Sequence, residues 1–151
     1  MNDYGEYVKY ISDILEIETP SVKTLSFDEM MSLSESPAFY DIQNKVVYLA
    51  DKDSYEMNDF FILAYTLRIV WQDITNHEYY FPDYDTNKSN HELNISPSEI
   101  DARAFATVAI AISFSKKTTI KFRNDPEAQQ LYDKRLDELC EEFGVDFLII
   151  E

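Results

Sequence analysis

Between Phe60 and Trp71 the chain reads Phe-Phe-Ile-Leu-Ala-Tyr-Thr-Leu-Arg-Ile-Val-Trp, a run apolar nearly all the way round a helix. A surface helix carries one apolar stripe, so a helix of this kind has to be enclosed by protein on most sides. It is therefore the central helix, and the remaining elements must supply its cover. Asp53 with Glu56 three residues on fits a capping box, which starts the helix there, and the pattern runs to about Asn76. Arg68 is the exception within it, and an arginine in apolar surroundings is expected to reach solvent or a carboxylate.

The cover is legible in outline. Asp3 caps a first helix in which Tyr7, Val8, Ile11, Ile14 and Leu15 recur at helical spacing, and Pro20 ends it. Val22 to Phe27 reads as a strand, and Met30, Met31 and Leu33 dock a short turn of helix after it. Ala38–Ile42 and Val46–Ala50 read as two strands of a hairpin across Gln43-Asn44-Lys45, with the positive φ expected at Asn44. Residues 77–95 form a long link without clear periodicity, of a length that usually carries function or structure of its own. Ser96-Pro97-Ser98-Glu99 then starts a helix with Ser96 as cap, Pro97 at the first position and Glu99 reaching back. That helix continues through Ala102, Ala104, Phe105, Ala106, Val108, Ala109 and Ile112, small enough in places for close approach to the central helix. Thr118–Phe122 is a short extended connection, Asp125-Pro126 opens a last helix, Gly144 stops it, and residues 145–150 are apolar enough for a final strand.

Charge narrows the class of partner. Twenty-nine acidic against 13 basic residues leave a formal net charge of −16 on 151 residues, which argues against direct binding to a phosphate backbone, since affinity there comes from Lys and Arg. The acids are spread along the chain. Solubility alone accounts for such a surface, and so does attraction of a basic partner, by imitation of nucleic acid. Two glycines leave no phosphate-cradling loop, and one cysteine, Cys140, leaves no internal disulfide. Cys140 falls on the apolar stripe of the last helix and reads as a small core residue. With no signal peptide and no apolar run long enough to span a bilayer, the chain is expected to be a single cytosolic domain.

The order of hairpin, buried helix, long loop and capped helix resembles that of zincin-like peptidases of the ImmA/IrrE type, over roughly residues 38–116. Leu63-Ala64-Tyr65-Thr66-Leu67-Arg68-Ile69-Val70-Trp71-Gln72 is similar to a family helix reading Leu-Ala-His-Glu-Leu-Arg-His-x-Trp-Gln, and Ser98–Ala106 resembles the later helix that carries the third ligand. In such enzymes two imidazoles four residues apart bind one zinc, with the glutamate as base. By position, Tyr65 and Ile69 stand where metal ligands would be, Thr66 where the base would be, and Asp101 where the third ligand would be, with Glu99 nearby. The resemblance thus implies a fold that has lost its chemistry, with no catalytic residue, no metal and no cofactor.

His77 and His91 are the only histidines, and their separation matches no metal-ligand spacing, so they read as exposed loop residues. Together with Asp101 and Glu99 they define the alternative of a hydrolase with an unusual metal site. The link is both aromatic and acidic. Its rings either cover the vacated cleft or anchor a partner, with carboxylates beside them to engage Lys or Arg. On the second reading the partner-binding residues are Glu78, Tyr79, Tyr80, Asp83, Tyr84, Asp85 and Glu92.

The expected fold is α+β, a small antiparallel sheet packed on the central helix with further helices around it, in a zincin-like arrangement. The expected function is that of a non-enzymatic acidic binding protein of phage or mobile-element origin. Its partner would be a basic surface such as a nucleic-acid-binding protein, and an inhibitor of a host defence nuclease in the manner of anti-CRISPR proteins is the concrete version. A structural or regulatory subunit is a third possibility.

Overall fold

Helix α3 (Met57–Ile74) buries Phe60, Leu63, Ala64, Leu67 and Val70, while Phe61, Ile62, Tyr65, Ile69 and Trp71 of the same apolar run are half-buried, so the described residues do not enclose it all round. The computed structural model describes residues 4–75, 89–148 and 150. Against α3 lies α5 (Pro97–Phe114), antiparallel to it: Phe60 meets Phe114, Arg68 lies over Phe105, and Gln72 bonds Ser98. Ala102, Ala104, Ala106 and Ala109 are fully buried along α5, and such short side chains let two backbones approach with little rotamer entropy to lose.

Two elements close the core from opposite ends. Helix α1 (Tyr4–Ile14) crosses the start of α3, where the Tyr4 hydroxyl donates to the Asp59 carbonyl at 2.7 Å and Tyr7 shares a hydrogen bond of 3.0 Å with Ser113. Phe60 sits edge-on to both rings, an arrangement favoured by the aromatic quadrupole. Burial pushes the Tyr7 hydroxyl up to about 12. Helix α6 (Pro126–Phe143) packs on α5, burying Ala128, Tyr132, Leu136 and Leu139. One apolar cluster joins α1, the sheet, α3, α5 and α6.

The sheet has three strands in the order β1-β3-β2, with β1 at Ser21–Ser26, β2 at Ala38–Asp41 and β3 at Val46–Asp51. Strands β2 and β3 form the expected antiparallel hairpin, but β1 pairs with β3 in parallel, so the sheet is mixed. Parallel neighbours need a crossover connection, and here it contains α2 (Phe27–Leu33) and β2. Helix α2 begins at Phe27, which was expected to end the strand, because Ser26 and Glu29 make a capping box. In the hairpin the positive φ falls on Lys45, not Asn44. Asn44 instead donates to Asp41, whose carboxylate also takes the Gln43 and Asn44 backbone N–H groups and so fixes the turn from its first residue.

Other boundaries shift for local reasons. Helix α1 stops at Ile14, before Pro20, with Glu16 left-handed and the Ile17 N–H closing on the Ser12 carbonyl. The cap of α3 is one turn later than expected, with Glu56 before the helix and its N–H donating to Asp59. The link contains a short helix, α4 (Asn90–Asn94), capped by Ser89. Ser96 and Pro97 open α5 and Asp125 and Pro126 open α6 as expected, with Asp125 accepting from the Ala128 N–H and Gly144 left-handed at the stop. Residues 145–148 and 150 form no strand. No helix among the described residues is long and apolar enough to cross a membrane.

Candidate functional site

Of the three positions Tyr65, Thr66 and Ile69 on α3, Tyr65 reaches the start of α5. The Tyr65 hydroxyl donates a hydrogen bond to Glu99, which also pairs with Arg103 one turn along α5 at 3.4 Å. Glu99 therefore turns away from the backward bond expected at the helix start. Thr66 is buried and spends its hydroxyl on the Ile62 carbonyl, 2.8 Å away in its own helix. Ile69 is half-buried against the core.

One turn further on, the network is centred on Asp101. This fully buried carboxylate takes Nε of Arg68 at 2.8 Å on one oxygen and Nη2 at 3.1 Å on the other, a two-pronged pair between α3 and α5. Gln72 donates to Asp101 at 2.8 Å and to the Ser98 carbonyl, and receives the Ser98 hydroxyl at 2.7 Å. From α6, Arg135 reaches the same carboxylate at 2.7–2.8 Å. Two guanidiniums thus share one carboxylate, and Glu138 lies 3.6 Å from Arg135 at the rim. Burial pushes the Asp101 carboxyl up, but Arg68, Gln72 and Arg135 outweigh it and hold the group below the usual carboxylate range. The Arg68 guanidinium lies over two rings, 3.7 Å from the Trp71 ring centre and 5.0 Å from that of Phe105.

The arrangement does not fit a zinc ion. Tyr65 is bonded to Glu99, Ile69 has no donor atom, and both Asp101 oxygens already face cations or an amide, whereas zinc needs at least three protein ligands. Among the described residues no group of three or more His, Cys, Asp or Glu side chains converges as a metal site. His91, placed in the alternative metal site by sequence, binds elsewhere: its Nδ1 lies 3.0 Å from Asp125 and its Nε2 3.2 Å from Glu127, at the start of α6. Asp125 raises the His91 pKa above its ordinary value, with Glu127 adding to the effect. In return, although burial pushes Asp125 up, His91, the Ala128 N–H and Asn94 hold it low.

Glu92 is exposed on α4 next to its cap, Ser89. His77, Glu78, Tyr79, Tyr80, Asp83, Tyr84 and Asp85 lie outside the described residues. Cys140 is half-buried, and burial raises its thiol, with Asp137 and Asp146 adding to the shift. Sequence reasoning missed Arg135, which sits on the charged side of the α6 pattern and is joined to Asp101 only by the fold. It noticed Gln72 without assigning it a partner. No family model, no curated protein and no solved structure matches the chain.

Proposed function

We propose that the chain is a non-enzymatic binding protein on a degenerate zincin-like scaffold, acting in the cytosol on a partner with a basic surface. The observation that carries this reading is the engagement of both Asp101 oxygens by Arg68, Gln72 and Arg135, which leaves the carboxylate no lone pair aimed at a metal. A cation cluster fixes the helices where a metal would otherwise do so. The net charge of −16 supports the choice of partner. A protein that handles nucleic acid offers the complementary field, and inhibition of a defence nuclease by a phage-encoded acidic protein is the specific form of the reading. The hydrolase alternative draws less support, since His91 is engaged by Asp125 and Glu127 whereas Asp101 is engaged by Arg68, Gln72 and Arg135.

Protein expressed with added zinc and purified without chelator should carry no stoichiometric transition metal and cleave no peptide. Pull-downs from host lysate should retain a basic protein at low salt and release it as salt rises. One zinc per chain, or a partner retained regardless of salt, would overturn the reading.

A further inference from the structure

Strand β1 pairs with β3 along its whole length, and its other edge meets no strand among the described residues. Strands in parallel pairing are ordinarily covered on both faces. In β1 only Leu25 is half-buried, and the other five residues are exposed. Natural edges are blunted by charge, proline or a bulge, but here the sole charge is Lys23. The strand runs directly into α2, which exposes Phe27 (52%), Met31 (42%) and Leu33 (60%), while Val22 of β1 is 41% exposed. Half of the eight exposed large apolar side chains among the described residues thus fall in the 13 positions of β1 and α2.

Two concavities, of about 190 and 440 Å³, open between the start of α2 and the end of β3 and share Phe27 and Lys52. The first is floored by Met30, Met31 and Pro37, and the second is flanked by Asp51 and Asp53. Asp28, Glu29 and Glu35 add exposed acids on α2 and just after it. Lys52 offsets little of this, being bonded at 2.8 Å to Asp59.

We propose that the β1–α2 edge is the docking site for an extended segment of a partner protein bearing lysine or arginine at alternate positions. The segment adds to β1 as a fourth strand, sets apolar side chains against Phe27 and Met31, and directs its cations to Asp28, Glu35, Asp51 and Asp53. Main-chain hydrogen bonds supply affinity in this mode and the alternate side chains supply selectivity. A second copy of the chain would bring the same acids and a charge of −16 against this surface, so charge selects a basic occupant. This inference rests on the reading of the chain as an acidic binding protein and names the surface it uses.

The test uses fluorescent peptides of alternating Lys and Val, a version with Glu for Lys, and one interrupted by Pro. The Lys-Val peptide should bind at low salt, the other two should not, and amide exchange should slow within residues 21–26. The double variants Phe27→Ser/Met31→Ser and Asp51→Lys/Asp53→Lys should each weaken binding by about tenfold or more. Glu141→Lys/Glu142→Lys, an equal charge change on exposed positions of α6, should leave it nearly unchanged. Protection that spares residues 21–26, or equal loss in the α6 variant, would overturn this surface while leaving a basic partner standing. Absence of Lys-Val binding also sinks the docking mode, and the salt-graded pull-down then decides the broader reading separately. A homodimer in sedimentation that dissociates in Phe27→Ser/Met31→Ser would assign the edge to a second copy instead.

Discussion

Arg68 shows how one side chain in an apolar run is accommodated. Its charge is answered by Asp101, and the rings of Trp71 and Phe105 lie within cation–π reach of it. Arg68→Met is expected to cost about 3–5 kcal/mol, because it leaves a buried carboxylate with fewer donors, and urea unfolding measures it. Asp101→Asn should also destabilise, by setting Arg68 and Arg135 against each other without their shared anion. The Asp101 pKa is lowered on folding, so its contribution is present above the unfolded value of about 3.9 and is lost as pH falls toward the folded value. Melting temperature against pH should therefore drop through that window in the wild type and be flatter in Asp101→Asn. Sequence left Arg68 either solvent or a carboxylate, since burial leaves an arginine few choices, and the fold gives it Asp101. It did not point to Arg135, because a partner 34 residues from Asp101 is selected by the docking of α6, which no local spacing encodes.

Among the elements, those set by a few adjacent residues were legible: the starts of α5 and α6 at Ser96-Pro97 and Asp125-Pro126, and the stop at Gly144. Elements set by distant contacts were not. The parallel pairing of β1 depends on where α2 and β2 carry the chain, and α4 is too short to show a period. The expected partner-binding residues of the link lie outside the described residues, apart from Glu92. Helix α4 is fastened to α6 through His91. Because the His91 pKa is raised on folding, this fastening is complete below the ordinary histidine value of about 6.5 and fades as pH rises through the folded value. Amide exchange in α4, corrected for intrinsic rate, should quicken over that range, and His91→Asn should abolish the dependence. The connection between α5 and α6 hangs on the buried Tyr132, whose hydroxyl meets Thr107 at 2.6 Å and accepts the Ile120 N–H at 3.1 Å. Tyr132→Phe should cost about 1–3 kcal/mol by leaving those groups unsatisfied, read by thermal unfolding.

At the scale of the whole molecule, a formal charge of −16 repels itself, and the compact state bears more of that repulsion than the expanded one. Raising salt from a low value should raise the melting temperature, by about 2–4 °C for each 1 kcal/mol of repulsion screened. A midpoint that falls with salt would mean that the ion pairs outweigh the excess of acids. The largely buried helix α3, the α+β class and the antiparallel hairpin were legible because a long apolar run and alternation leave few other solutions, while the half-buried face of α3 and the mixed sheet required knowledge of how the other elements pack. The chain also contains its own optical probe, half-buried against the core. Trp71 is the only tryptophan and lies against Arg68, so its fluorescence samples the surroundings of the Arg68–Asp101 pair. Acid that protonates Asp101 should change the emission spectrum before the helices melt by circular dichroism, whereas coincident curves would mean that the ion cluster and the helical scaffold give way together.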